Sequence, residues 1–249
     1  MTTAAFAIRR IDDAADAALP ALSRLLQTTF ADPDTVLELD RIQAFLTEAS
    51  PARQFCVVVA ETAGEVLGGT IFSYVPQANC GFSEYLLVRK DHHGQRIGRR
   101  LFDARRAILD DLAQRSHQAP CNGLFIEADN PERTPPDLQA RERETAIDAL
   151  VRLHVFAHLG FWRVDVEYVQ PPLGPDKQPV TYLDLLFAPW DARVRGALRL
   201  PAGWVVQTLR AIWESWAPAT AHEASEALRA RLGDTPVALA RLTPQSDDQ

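Results

Sequence analysis

The stretch from Glu84 to Phe102 sets an apolar run, Tyr85-Leu86-Leu87-Val88, ahead of a short basic segment that holds Gly94 and Gly98. Ile97, Leu101, Ile108 and Leu112 then recur at the spacing of one helix face. A helix N-terminus carries unpaired N–H groups and the positive end of the helix dipole, so it can hold a phosphate. Glycine lets backbone approach such a ligand closely. His93, Arg96, Arg99 and Arg100 add positive charge at the same point. The combination is the chemistry of an anion site, and of a pyrophosphate site in particular. A dinucleotide-binding loop needs three glycines in a tight pattern, and a P-loop ends in Gly-Lys-Ser/Thr. Gly94-Gln95-Arg96-Ile97-Gly98 is neither.

The surrounding elements must place that loop. Phe6 to Ile11 predicts a first strand, and residues 17–30 predict a helix with Leu19, Leu22, Leu25 and Leu26 on one face. Asp34 or Thr35 is expected to cap a second helix that runs to Ala49. Phe55–Ala60 and Val66–Tyr74 read as strands joined by a hairpin turn at Gly64. A turn at Gln77–Cys80 leads to the strand that ends at Val88. Beyond the motif helix, Pro120–Gly123 breaks the chain before a strand from Leu124 to Glu127. A polar loop over 129–140 precedes one long helix to Leu159, and Phe161–Val169 and Val180–Phe187 predict two further strands. The segment 170–179 is a loop because of its prolines, and could act as a substrate lid. Trp204, Val205, Leu209, Ile212, Trp213 and Trp216 form an apolar stripe, followed by a helix over 221–232. The stripe either covers the sheet or joins two copies as a homodimer.

Composition narrows the function classes. The 249 residues are 47% hydrophobic and 24% charged, as in a globular protein with a large core. A net charge of -7 argues against a general nucleic-acid binder. The six histidines and three cysteines show no metal-ligand spacing, so no metal is expected. Cys56, Cys80 and Cys121 fit reduced thiols in a cytoplasmic protein. The N-terminal residues lack a basic start and an apolar core, so no signal peptide is expected. No apolar run is long enough to span a membrane.

At these residues the chain resembles the GNAT superfamily of acyl-CoA N-acyltransferases. The family loop reads Arg/Gln-x-x-Gly-x-Gly/Ala after a strand that ends in valine. Here His93-Gly94-Gln95-Arg96-Ile97-Gly98 follows Val88, with His93 in place of Arg/Gln and Arg96 in place of the first glycine. Leu124 to Asn130 is similar to the family's next strand and its terminal Asn. Arg152 to Phe161 is similar to the helix that usually ends Tyr-x-x-x-Gly-Phe, with Phe156 at the tyrosine position. The resemblance covers roughly residues 5 to 190.

It implies an α/β fold: a mixed, mostly antiparallel sheet flanked by helices over residues 1–190, with a C-terminal helical extension over 191–249. It also implies transfer of an acetyl group from acetyl-CoA to a primary amine of an unidentified acceptor. The alternative is a non-catalytic CoA-binding or regulatory module. By resemblance, the pantetheine arm lies along Leu86, Leu87 and Val88. The pyrophosphate lies on the amides from His93 through Gly94, Gln95, Arg96, Ile97 and Gly98 to Arg99, and Asn130 contacts the CoA arm. The Leu86 N–H would then face the thioester carbonyl. Glu127 is the expected general base, with Glu84 the second candidate because it shares strand parity with Leu86. Either carboxylate could instead be a structural partner of an arginine. Phe156 cannot donate a proton, which leaves Tyr168, His154, His158 or no residue as the acid. The loops 129–140 and 170–179 are expected to shape the acceptor site.

Overall fold

The structure is a computed structural model that describes residues 6–145, 148–174 and 176–242. The chain opens with β1 (Ala7–Ile11), α1 (Ala18–Thr29) and α2 (Leu39–Thr47). Three long strands follow: β2 (Gln54–Thr62), β3 (Glu65–Val75) and β4 (Cys80–Val88). Next come α3 (Ile97–Arg115), β5 (Gly123–Asp129), α4 (Pro136–Thr145), α5 (Ala149–His158), β6 (Trp162–Val164) and β7 (Leu183–Pro189). The chain ends with α6 (Ala192–Ala197), β8 (Arg199–Leu200), α7 (Ala202–Trp216), α8 (Pro218–Leu232) and β9 (Val237–Ala240). The described strands form one mixed sheet in the order β1-β2-β3-β4-β5-β7-β6-β9-β8. Every pairing is antiparallel except β4 with β5.

The period of two in the strands divides the core between the two faces. Val57 and Val59 of β2 join α1, α2 and α7 in one apolar cluster. Cys56, Val58 and Ala60 join Ile97, Leu101, Leu109 and Leu112 of α3 in the other. The β2–β3 turn at Ala63 and Gly64 has positive φ at both residues, 47° and 81°, as a two-residue hairpin requires.

Two irregularities in β4 open the sheet. Ile71 of β3 pairs with Tyr85 while Phe72 pairs with Ser83, so Glu84 is the extra residue of a β-bulge. On its other edge, β4 pairs with β5 only at Gly81–Leu124, Phe82–Phe125 and Ser83–Ile126. Beyond Ser83 and Ile126 the two strands part. A buried polar network holds the bulge. Thr70 Oγ1 donates to the Tyr85 carbonyl at 2.8 Å, and Arg105 of α3 donates to Ser83 Oγ and to Thr70 Oγ1.

Several sequence expectations need correction. Asp34 and Thr35 lie in a short 3₁₀ turn, Pro33–Thr35, whose Asp34 amide is capped by the Asp32 side chain. The second helix starts only at Leu39. The loop 129–140 contains the start of α4, and the long helix to Leu159 is two helices, with Asp148 capping the second through Leu150 N. β6 stops at Val164. Residues 170–179 lack regular structure apart from a bridge between Gln170 and Val180; Pro175 lies outside the described residues.

The segment after Trp190 is not only helical, because β9 pairs with β6 and carries β8 on its far side. The apolar stripe of α7 is covered within the chain. Trp216 meets Phe82 of β4 edge-on at 5.7 Å, and Trp213 lies 6.4 Å from the ring of Tyr168. Both tryptophans are buried. Removing such a side chain leaves a cavity against the central strand. Trp216→Ala is therefore expected to cost about 3–5 kcal/mol of stability. Guanidinium unfolding measures this, and a loss below about 1 kcal/mol would show that α7 does not share the core.

Candidate functional site

The parted ends of β4 and β5 form the wall between two cavities. The larger, about 400 Å³, is lined by Leu86, Leu87 and Val88 of β4, by His93, Gly94, Arg96, Ile97, Gly98 and Arg99 of the loop and helix start, and by Phe156 and Leu159 on and beside α5. The smaller, about 60 Å³, is lined by Glu84 and Tyr85 of β4 and by Glu127, Ala128 and Asp129 of β5. Phe30 and Arg152 line both, so the cavities meet at the strand gap.

Backbone alternation decides which groups of β4 face the gap. Arg89 donates its N–H to Leu67 O at 2.9 Å. In an antiparallel ladder Arg89, Leu87 and Tyr85 therefore turn their backbone groups toward β3, while Leu86 and Val88 turn theirs to the open side. The Val88 carbonyl is met there by His93 Nε2 at 2.9 Å. The same alternation turns the Leu86 N–H to the open side, where β4 and β5 no longer pair among the described residues.

The loop is shaped by two positive-φ residues, Gly94 at 79° and Arg96 at 62°, and Arg96 is the N-cap of α3. Gly98 lies in the first turn of that helix, where N–H groups have no intrahelical partner. A Cβ at Gly98 would meet only Val88 Cγ2, at 3.6 Å. Packing therefore does not demand glycine here. Its lack of a side chain keeps open the space in front of the helix start. The cavity thus joins free amides, Arg96, Arg99 and a long apolar wall, a set that fits an elongated ligand with a phosphate at one end.

Two expected ligand residues do not line this cavity. Gln95 sits in the turn away from it. Asn130 is engaged elsewhere: its Nδ2 donates to Asp184 Oδ2 at 3.1 Å, and its Oδ1 accepts from Glu132 N at 2.9 Å. It shapes the turn after β5.

Glu127 sits on the parted end of β5, facing the small cavity. Tyr168 donates its hydroxyl to Glu127 Oε1, and Gln170 Nε2 donates to Oε2 at 2.7 Å. No cation pairs with it among the described residues. Burial lifts its carboxyl from the usual 4.5 to about 7; the two hydrogen bonds oppose this shift and the nearby Glu84 and Asp129 charges add to it. Such a carboxylate can accept a proton near neutral pH.

Glu84 has a different environment. Its Oε1 accepts from Arg53 at 3.0 Å and from Ser73 at 2.8 Å, and the guanidinium of Arg53 stacks over Phe45 at 4.2 Å. Burial raises this carboxyl, and Arg53 opposes the shift. Glu84 thus combines the anchoring of an ion pair with a place in the cavity wall.

The other proton-transfer candidates lie off the cavities. Tyr168 is buried behind Glu127, and burial holds its phenol well above the usual 10. His154 and His158 bond the carbonyls of Leu150 and His154 on the exposed side of α5. Phe156 lines the larger cavity and packs edge-on against Phe161.

Sequence reading missed Asp32, Tyr182, Arg152 and Gln170. Tyr182 donates to Asp32 Oδ2 at 2.5 Å, and Tyr85 accepts from Leu37 N at 2.9 Å while donating to Thr35 O at 2.8 Å. These two tyrosines hold the α1–α2 connection over the small cavity. Arg152 bridges Asp129 at 2.9 Å and Glu142 at 2.7 Å.

Residues 19–133 match the sequence model of the Acetyltransferase (GNAT) family. No curated protein matches the chain by sequence. Among solved structures, the PaiA N-acetyltransferase from Thermoplasma acidophilum in complex with coenzyme A is similar at a TM-score of 0.51 and 8% identity, over 75% of this chain and 99% of that one. The ribosomal-protein-S18-alanine N-acetyltransferase from Escherichia coli is similar at a TM-score of 0.48 and 13% identity, over 74% of this chain and 94% of that one. The matched segment runs from α1 through β5, so residues 19–133 carry the sequence pattern of the acetyltransferase (GNAT) family, on a mixed sheet of the same fold as the PaiA enzyme.

Proposed function

We propose that this protein transfers the acetyl group of acetyl-CoA to a primary amine. The observation that carries this reading is the meeting of the two cavities at the β4–β5 gap. The anion loop and an apolar wall stand on one side, and an uncompensated carboxylate stands on the other. The larger cavity suits acetyl-CoA, with the phosphates at the Gly94–Arg99 loop and the pantetheine arm along Leu86 to Val88. The small cavity admits the amine.

In this reading Glu127 takes a proton from the ammonium. The neutral nitrogen then attacks the thioester carbonyl carbon, and the oxygen's developing charge is met by the Leu86 N–H. The C–S bond breaks, the attacking nitrogen sheds its second proton to the departing thiolate so that CoA leaves as the thiol, and Glu127 returns its own proton to solvent. Tyr168 and Gln170 position Glu127, and Glu84 with Arg53 fixes the bulge that turns Leu86 toward the gap. Phe156 offers no proton, so the thiolate departs without help from that position. We assign the transfer to residues 1–190, with the segment from 191 on completing the sheet and supporting Tyr168. A reducing, cytoplasmic setting is supported by three buried free cysteines, of which burial lifts Cys56 and Cys121 to about 12.

The replaced tyrosine favours one other reading, a module that binds CoA without chemistry. Two experiments separate them. Calorimetry should show acetyl-CoA binding that Gly98→Asp weakens at least about tenfold, since bulk and negative charge enter the phosphate site. The variant should keep its melting temperature within a few degrees, because the site has room for a side chain. No binding by the wild type at millimolar acetyl-CoA would end both readings.

Glu127→Gln should slow acetylation about 10²–10⁴-fold while leaving acetyl-CoA binding nearly intact. The wild-type rate should fall as pH drops through about 7, and the variant should lose that limb. A carboxyl whose folded pKa is raised lowers stability progressively as pH rises from about 4.5 to about 7, and fully above. Glu127→Gln should therefore be more stable at pH 8 by about 2–3 kcal/mol, with little change at pH 4. Wild-type activity in the variant would remove Glu127 from the mechanism.

A further inference from the structure

The small cavity has a charge pattern that acetyl transfer to an amine in general does not demand. Five carboxylate residues line it: Asp32, Glu84, Glu127, Asp129 and Glu142. The one cationic residue in its wall, Arg152, already bonds two of them, Asp129 and Glu142. Arg53 answers Glu84 from behind. Among the described residues, Glu127 and Asp32 have only neutral donors: Tyr168 and Gln170 for the first, Tyr182 and the Asp34 amide for the second.

A second observation is independent of charge. Gln170 is 3% exposed, and its Oε1 has no hydrogen-bond partner. The opposite end of the same amide donates to a carboxylate, which fixes the free end as the acceptor oxygen. The Glu84 side chain is 1% exposed, and its Oε2 likewise meets no donor from another residue. A buried acceptor left without a donor costs free energy comparable to a lost hydrogen bond. Both residues line the small cavity. A ligand that brings N–H donors and positive charge answers both features, whereas a ligand carboxylate meets like charge over most of the wall.

We infer that the acceptor is a small dicationic amine, a short linear diamine. One ammonium goes to Glu127, Gln170 and Glu84, and the second to Asp32 at the other carboxylate that lacks a cation. The volume of about 60 Å³ suits an ammonium and a few methylenes better than a folded peptide main chain. This inference rests on reading the cavity as the acceptor side of an acetyltransferase.

The test compares three four-carbon amines that differ only at the far end: 1,4-diaminobutane, 1-aminobutane and 4-aminobutanoate. CoA thiol release at saturating acetyl-CoA is measured for each, with calorimetric binding of each amine to the protein–CoA complex. The diamine should exceed the monoamine at least about tenfold in kcat/KM, and the amino acid at least about a hundredfold, with the advantage shrinking in 0.5 M salt. Asp32→Asn keeps the oxygen that caps Asp34 but loses the charge. It should lower diamine use about tenfold more than monoamine use. Equal use of the three, or preference for 4-aminobutanoate, would overturn the inference and leave acetyl transfer standing. Diamine binding that Asp32→Asn weakens, without thiol release, would support the subsite and refute the catalytic reading. No diamine binding to the complex would overturn the inference whatever the rates.

Discussion

β4 and β5 hydrogen-bond over three residue pairs and then separate, and both cavities depend on that separation. A parallel pair that continued past Ser83 and Ile126 would bury the edge groups of Leu86 and Val88 in a ladder. The bulge at Glu84 prevents this by adding a residue to β4 and increasing its local twist. The cost is a set of backbone groups without strand partners. The protein answers part of it locally, with the Thr70 hydroxyl at the Tyr85 carbonyl and the His93 ring at the Val88 carbonyl. The same break therefore opens the space and turns the Leu86 backbone toward it.

The separation also exposes carboxylates to one another in a poorly hydrated place. Glu84 and Glu127 stand on facing strand ends, yet their partners differ in kind. A guanidinium stacked on aromatic rings answers Glu84, while Glu127 receives only a phenol and an amide. Neutral donors orient a carboxylate without removing its proton affinity. The C-terminal segment enters this arrangement through Trp213, which backs Tyr168. Glu127 ionises against its surroundings, and that opposition lifts its proton affinity to the neutral range.

How much was legible follows from how local each signal is. The glycine-containing loop was readable because strand, glycines and helix start are contiguous, and structure brings nearly all of those residues to one cavity. The long strands β2 to β4 were readable from uninterrupted apolar runs. Helix boundaries near Asp34 and over 129–159 were not, because a capping Asp32 and Asp148 outweighed weak helical patterns. Asn130 was placed by analogy, but the short spacing from Glu127 turns it into the loop after β5. Asp32, Gln170 and Tyr182 come from segments up to 150 residues apart, and only the folded sheet brings them together. Tyr168 was a candidate acid from sequence; the structure buries it behind Glu127, to which its hydroxyl donates.

The most direct measurement is carboxyl ¹³C NMR titration of glutamate-labelled protein, with Glu127→Gln for assignment. A Glu127 resonance with its midpoint near 7, moving upward in Tyr168→Phe as a donor to the carboxylate is lost, is the predicted result. A Glu127 midpoint near the usual 4.5 would contradict the account, because a fully ionised, well-solvated carboxylate would have no cause to take an ammonium proton at the strand gap.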